Sequence, residues 1–337
     1  MRFKHSLFPA LLIGLSLSVI FSDAQAQSAN DHTHDIPSLL QKIQSSAQKM
    51  EYAGTFVYQQ ANQIRTSRIT HVIHSGTEIE KLEILDGIPR EYIRKNADVT
   101  CYLPESKTIQ IEKNVTQEVF PAFLTSNVTN LPEYYSIKKA DLNRVAGIEC
   151  QTYLFDPKDT YRYGYRLCVE KNSGLLLRAQ TVNTKNEVIE QIAFTQLSIA
   201  DIDRHKVKPS FQQTGHWRIE NLTVQTNINS GWIVKSIPKG FKKTREMKRL
   251  IPIVATSGSE HTPEQTHQVI QMIFSDGLAA ISVFIEPYGN HRSEGVLQQG
   301  AMTIMGKRYG DYWLTVLGEV PVAAIQQVMS SIEFKPK

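Results

Sequence analysis

Ile79-Glu80-Lys81-Leu82-Glu83-Ile84-Leu85-Asp86-Gly87-Ile88-Pro89-Arg90-Glu91-Tyr92-Ile93-Arg94-Lys95-Asn96 is a short β-like run, a turn pair and a second short run. Apolar and charged residues interleave too closely for the three-to-four spacing of a helix. Asp86-Gly87 and Asn96 are residue types that accept the backbone angles of tight turns. The same rhythm extends both ways, from Gly54 to Ile199. Its runs are Thr55–Gln59, Ile64–His74, Ile79–Leu85, Glu91–Lys95, Val99–Leu103, Thr108–Glu112, Ile148–Phe155, Tyr161–Val169, Leu175–Val182 and Val188–Ile199. Connections this short force antiparallel neighbours. The expected fold is therefore a strongly curved antiparallel meander with one or more helices on one face. Phe120 to Tyr135, with two prolines, breaks the rhythm and reads as helical turns or a lid-like crossing segment.

Upstream, Ile36, Leu39, Leu40, Ile43, Ala47 and Met50 recur at helical spacing, with Asp35 as N-cap and Pro37 in the first turn. This helix should pack on the sheet. Further upstream, Arg2, Lys4 and His5 precede an apolar run from Leu7 to Phe21, and Ala24-Gln25-Ala26 supplies a small-x-small cleavage site. The run is shorter than the roughly 20 residues a spanning helix needs, so residues 1–26 read as an export signal. Downstream, the polar segment 201–216, with Pro209, reads as a linker. Residues 217–337 carry their own apolar inventory: strands at Trp232–Ile237, Gln268–Phe274, Leu278–Glu286, Ala301–Met305 and Tyr312–Leu317, then a helix opened by Pro321. The fold class is α+β, with an N-terminal domain at 35–200 and a smaller C-terminal one at 217–337.

The chain has 337 residues, 41% of them apolar and 21% charged, so it is globular. Its net charge is +4, or +3 without Arg2, Lys4 and Asp23. With an export signal, so small an excess points away from nucleic acid. Three cysteines, Cys101, Cys150 and Cys168, enter a compartment that permits disulfides. Cys150 and Cys168 flank the turn 156–160 almost symmetrically, so a hairpin would set them nearly opposite. Two buried free thiols are the alternative.

No Gly-x-Ser-x-Gly elbow, His-Glu-x-x-His helix, Gly-rich phosphate loop or Cys-x-x-Cys is present, which argues against an enzyme. His32 and His34 have no third or fourth ligand cluster, so no metal site and no cofactor are expected. Three features suit binding. Aromatic residues crowd the first sheet; most belong to its core, but a curved sheet with little helical cover can hold an acyl chain. Phe56, Tyr58, Tyr102, Phe120 and Phe123 are the candidate lining. Lys239, Lys242, Lys243, Arg245, Lys248 and Arg249 form a basic run, read as a loop for an anionic partner or simply a solvated one. Arg162 and Arg166 stand among tyrosines, a mixture suited to planar anions.

Several blocks have a familiar wording: Gly54-Thr55-Phe56-Val57-Tyr58, Leu85-Asp86-Gly87-Ile88-Pro89-Arg90-Glu91 and Tyr161-Arg162-Tyr163-Gly164-Tyr165 in the first half, then Ile237-Pro238-Lys239-Gly240-Phe241, Phe274-Ser275-Asp276-Gly277-Leu278, Ser282-Val283-Phe284 and Gly318-Glu319-Val320-Pro321. In order and spacing they resemble the MucB/RseB family, periplasmic negative regulators of an envelope-stress sigma factor. The resemblance implies an N-terminal half-open β-barrel with helices, like the periplasmic lipoprotein carriers, and a smaller C-terminal domain. Together these would clasp the periplasmic segment of a membrane-bound anti-sigma factor and shield it from proteolysis. Lipopolysaccharide or lipoprotein acyl chains would release it. A periplasmic lipid or lipoprotein carrier is the rival reading, and a homo-oligomer is left open.

Overall fold

The computed structural model describes residues 36–113, 130–222, 224–226, 228–252, 266–289 and 292–335. The expected signal, Asp35, Phe120 and Phe123 lie outside them. Helix α1 (Ile36–Lys49) is followed by β1 (Tyr52–Gln60), β2 (Gln63–His74), β3 (Thr77–Ile84), β4 (Arg90–Lys95), β5 (Asp98–Leu103) and β6 (Thr108–Glu112). A single helical turn, α2 (Leu131–Tyr134), leads into β7 (Tyr135–Val145), β8 (Ile148–Pro157), β9 (Gly164–Glu170), β10 (Leu176–Val182) and β11 (Val188–Ile199). Then come β12 (Arg218–Leu222), β13 (Val224–Thr226), β14 (Trp232–Val234), β15 (Lys242–Pro252), β16 (Thr266–Ser275), β17 (Ala280–Pro287), β18 (Gly295–Gln299), β19 (Met302–Tyr309) and β20 (Tyr312–Gly318). Helix α3 (Val322–Ser330) and β21 (Ile332–Phe334) close the described chain.

The first sheet has the order β12-β6-β5-β4-β3-β2-β1-β11-β10-β9-β8-β7. Among the described residues β12 and β7 are its edges, so the sheet is not closed. The turn chemistry explains the meander: Ser75 and Gly76, with φ of 49° and 77°, close β2 on β3, and Ala146 and Gly147, at 50° and 80°, close β7 on β8. The Asp86 carboxylate accepts from Thr66 N–H and ties the β3–β4 turn to β2. The exception to antiparallel pairing is β12, which runs parallel to β6, Arg218 opposite Thr108. The segment after 201–216 thus completes the first sheet before the chain enters the second.

Helix α1 buries Leu40, Ile43 and Ala47, one stripe at three-to-four spacing. Leu40 and Ile43 share a core with Phe155, Tyr165, Leu167 and Leu176. At roughly 1.5–3 kcal/mol for each large side chain buried, this stripe rather than helix propensity holds α1 in place. Ser46 donates to Lys42 and Ser173 carbonyls, and Lys42 Nζ lies 3.1 Å from Lys171 O, pinning the helix to the β9–β10 turn. Beyond its end, a buried polar cluster replaces apolar packing. His71 Nδ1 lies 2.7 Å from Met50 O and Nε2 lies 3.0 Å from Glu78; Arg94 bonds Glu78 at 2.7 Å and Glu80 at 3.3 Å. Burial alone would raise Glu78, but the hydrogen bonds from His71 and Arg94 hold its carboxyl at about 2.

The second sheet has the order β13-β15-β16-β17-β20-β19-β18, and β14 pairs separately with β21. Ala324, Ile325, Val328 and Met329 of α3 pack with Phe274, Ile281, Val283 and Val316 in its core. The sequence reading did not include the short strands β12, β13, β18 and β21, and it differs from this fold more tellingly at three others. β7 escapes the sequence pattern because its bulged, edge-strand middle exposes Lys138, Lys139, Asp141 and Leu142, and only Tyr135 and Val145 at its ends are buried. The basic run is not a loop: Lys242 to Arg249 lies in β15, paired to β16 from Lys242–Ser275 onward. Tyr161 to Tyr163 precede β9, which starts at Gly164.

Candidate functional site

The departure at residues 158–163 has a cause. Arg162 is turned inward, 1% exposed, instead of joining the ladder. Its Nη1 donates to Asp276 Oδ2 at 3.0 Å, Nη2 donates to the Lys239 carbonyl, and Nε lies 3.2 Å from Asp159 Oδ1. The guanidinium also stands 4.8 Å from the Tyr134 ring centroid, 5.6 Å from Tyr135 and 5.2 Å from Phe241. Asp276 is equally well furnished. Its Oδ1 accepts from Leu278 N–H at 2.9 Å and Ala279 N–H at 2.8 Å, and Tyr135 Oη donates to Oδ2 at 3.3 Å. A buried charge pair is tolerable only when its remaining donors and lone pairs are filled in this way.

The pair joins the two sheets. Arg162 and Tyr135 belong to the first, Lys239, Phe241 and Asp276 to the second. Around it the cores trade residues: Tyr161 packs on the second-sheet core, and Leu278 is buried in the first. Gly240 is required there twice over. Its φ is +88°, and a Cβ would sit 2.5 Å from the Tyr134 ring. Three of the blocks that carry the family resemblance, those around Arg162, Gly240 and Asp276, therefore meet at one point. The sequence reading named Arg162 as an anion binder; its burial against Asp276 withdraws it from any outside ligand. Arg166 is likewise engaged, with Asn186.

A second feature lies on the face of β1–β5. The segment 201–212 crosses it as a strap. Lys81, 4% exposed, bonds the Lys208 carbonyl at 2.9 Å and Ser210 Oγ at 2.6 Å, with Glu91 3.1 Å away. The Glu91 carboxylate in turn accepts from Ser210 N–H at 3.1 Å. Two adjoining clefts open beside the strap. One, of about 850 Å³, is polar, with Arg68, Lys81, Glu83, Lys206 and Lys208 on its walls. The other, of about 520 Å³, is more apolar, with Val72, Ile79, Ile93, Ile111, Val207 and Tyr102 among its walls. Sequence reasoning missed Lys81, Glu91 and Asp276, since each has a partner more than 100 positions away.

Of the candidate cavity residues, Tyr102 lines the apolar cleft and also lies 6.2 Å from the Phe211 ring. Phe56 does not; it is 4% exposed and packs edge-on to Phe194 in the core. Tyr58 is half-buried beside Glu190. In the basic run, Lys243 pairs with Glu246 at 2.7 Å and Arg249 reaches Glu112 of the first sheet at 3.1 Å, while Lys239 and Lys242 are exposed. Arg245 and Lys248 are half-buried on the same strand. Cys150 and Cys168 are joined by a disulfide with Cα atoms 5.4 Å apart, and Cys101 is a buried free thiol. The ladder sets Cys150 opposite Glu170 and Cys168 opposite Thr152, so the bridge crosses β8–β9 diagonally rather than between facing residues. Among the described residues no group of three or more His, Cys, Asp or Glu is arranged to hold a metal, and no helix is long and apolar enough to cross a membrane.

Residues 35–211 match the model of the MucB/RseB N-terminal domain, and residues 226–333 that of the MucB/RseB C-terminal domain. The sigma factor AlgU regulatory protein MucB of Pseudomonas aeruginosa is 27% identical, over 96% of this chain and 95% of that protein. The sigma-E factor regulatory protein RseB of Haemophilus influenzae is 23% identical, over 97% of this chain and 98% of that protein. Among solved structures, MucB in complex with MucA(peri) superposes with a TM-score of 0.66 at 24% identity, covering 89% of this chain and 99% of that one. The Pseudomonas aeruginosa MucA/MucB complex gives 0.67, with 90% and 100% covered.

Proposed function

The chain belongs to the MucB/RseB family, and from that premise we propose that it is a periplasmic regulator of a sigma factor, acting by binding the periplasmic segment of a membrane-bound anti-sigma factor. One observation carries the reading: both family domain models match, 35–211 and 226–333, across nearly all the described chain. In this reading the bound segment is shielded from proteolysis, and lipopolysaccharide or a lipoprotein acyl chain releases it.

The geometry supports the reading in two ways. The Arg162–Asp276 pair fixes the second sheet to the first, so a partner can be held against two surfaces of fixed relation. The apolar cleft beside the strap, about 520 Å³, suits part of an acyl chain, and the adjoining polar cleft offers Arg68, Lys206 and Lys208 to an anionic head. The half-open barrel implied by the resemblance would place these clefts on the open sheet. Because lipid and peptide favour different states of one protein, lipid shifts the population only through its differential affinity. The exposed Lys239 and Lys242 of the basic run belong to this proposal as steering charges for an acidic peptide or a lipid phosphate.

The apolar cleft also fits the rival reading, a carrier that hands lipid onward. Binding of the purified protein to the anti-sigma periplasmic domain, with and without lipopolysaccharide, separates the two. The regulator is expected to bind the domain and to let go when lipopolysaccharide is added. Lipid uptake without any binding of the domain would establish the carrier and overturn the regulator.

A further inference from the structure

A second contact between the sheets is chemically unlike the Arg162 node. The turn after β18 sets Gly300, at φ +56°, down on the first sheet, where a Cβ would lie 2.5 Å from Gln60 Cγ and 3.1 Å from the Ile189 carbonyl oxygen. Beside it Gln298 Nε2 donates to Tyr163 Oη at 2.9 Å. Glu190 of β11 is buried next to this contact, its Oε2 accepting from Gln60 Nε2 at 3.2 Å, and the Tyr58 hydroxyl is hydrogen-bonded to the same carboxylate. From the second sheet, Glu319 sits in the turn between β20 and α3, flanked by Gly318, which pairs with Thr303, and by Val320, whose carbonyl accepts from Thr303 Oγ1 at 2.8 Å. Thr303 is in turn hydrogen-bonded to Tyr163, and the Glu319 charge acts on Glu190, Tyr58 and Tyr165.

The groups facing the two carboxyls are Tyr58 and Gln60 of β1 and Tyr165 of β9, all uncharged. Arg65 of β2 acts on Tyr58, but among the described residues no cation acts appreciably on either carboxyl. Two acids thus act on one another across the sheet boundary, with no cation among the described residues to neutralise them. We propose that Glu190 and Glu319 form a proton-dependent clasp, closed while the pair is protonated and loosened once both carboxyls ionise.

Like charges in a poorly hydrated place cannot both ionise without strain on whatever holds them together. Burial first, and then the charge of Glu319, push Glu190 up to about 7, and burial raises Glu319 as well. A carboxyl raised in the closed form adds to closure fully below its ordinary value, and the gain disappears as pH climbs through the raised one. For Glu190 that window runs from 4.5 to about 7. Between pH 5.5 and 8 one such group changes the closed-to-open ratio by roughly tenfold or more. The Arg162 node differs in kind, since it sets a carboxylate against a cation instead of against a second acid.

Hydrogen exchange on the whole protein tests the clasp, with rates corrected for the intrinsic effect of pH. Peptides covering 188–191 and 298–301 report on the contact, and peptides covering 150–168 report on the disulfide-bridged part of the first sheet. Protection at the contact is expected to fall about tenfold from pH 5.5 to 8 while the reference holds. Glu190→Gln keeps the shape of the side chain without its charge and should flatten that fall; Glu319→Gln should do the same from the other sheet. A flat profile in the unmodified protein overturns the proposal, and so does an undiminished fall in both variants. If one variant also loses protection at 150–168, it has disturbed the fold and the other variant decides.

Discussion

At one contact between the sheets Arg162 meets Asp276, both side chains 0% exposed and 3.0 Å apart. At the other, Glu190 is buried within reach of the Glu319 charge, and among the described residues no cation offsets it. The first contact pairs opposite charges, although burial raises the Asp276 carboxyl; the second sets two raised carboxyls against each other. A buried salt bridge is weak evidence for net stability, but breaking one by removing a partner is costly. The protein therefore has a contact that should fail only when mutated and one that should yield to solution conditions. The largest expected effect follows: Arg162→Ala strands Asp276 and should cost about 3–5 kcal/mol in urea unfolding. A double change, Arg162→Met with Asp276→Leu, should recover much of that, since a hydrophobic replacement of a buried pair is often neutral. A cost under about 1 kcal/mol for the single change would mean that the pair does not fasten the sheets.

The same two contacts mark how far the sequence could be read. Strands were legible where turns were chemically explicit, as at Ser75-Gly76, Asp86-Gly87 and Asn96, because positive φ needs particular residues. β7 and β15 were not, because an edge strand with Lys138, Lys139 and Asp141, or one carrying Lys242, Lys243 and Arg245, hides its period behind charge. Arg162 was singled out and given the wrong employment, an outside anion, because the pairing with a residue 114 positions away leaves no local trace. The blocks that carried the family resemblance did contain Arg162, Gly240 and Asp276, and also Tyr58 and Glu319. Only the fold shows that they gather at the two contacts.

Glycines sharpen the first contact further. Gly76 and Gly240 both have positive φ, 77° and 88°, but a Cβ on Gly76 meets nothing within 4 Å whereas one on Gly240 meets Tyr134. Gly76→Ala should cost about 1–2 kcal/mol from backbone strain alone. Gly240→Ala should cost about 1 kcal/mol or more beyond that, from overpacking at the junction. Equal losses in thermal unfolding would show that Tyr134 moves aside freely.

Two carboxyls of opposite displacement sharpen the second contact. Glu78, held at about 2, contributes stability above its ordinary value that is lost as pH falls from 4.5 toward 2. Glu190, raised to about 7, contributes stability that is present in acid and lost as pH rises from 4.5 through 7. After allowance for partial solvent screening, each limb is on the order of 1–2 kcal/mol. Urea midpoints at pH 3, 5.5 and 8 should show Glu78→Gln flattening the acid limb alone and Glu190→Gln the neutral limb alone. If either variant flattens both limbs, the two carboxyls are coupled and neither limb belongs to one of them.

The smallest effects belong to β15, where cations of one strand divide into engaged and idle. Arg249 reaches Glu112 across the sheet boundary at 3.1 Å, with 30% and 18% of the side chains exposed, so it adds a third, partly screened tie between the sheets. Lys242 on the same strand is exposed. Arg249→Ala should therefore cost about 0.5–1 kcal/mol, and less in high salt, while Lys242→Ala should stay within about 0.5 kcal/mol. Association runs the other way. An acidic segment approaching the protein feels the exposed Lys242 at long range, whereas the Arg249 charge is already balanced by Glu112. Lys242→Ala together with Lys239→Ala should slow association with the anti-sigma periplasmic domain at low salt and leave dissociation nearly unchanged. Stopped-flow rates at low and high salt measure both. If Arg249→Ala slows association as much as the lysine pair, the strand acts as one field and its division into tie and steering charges fails.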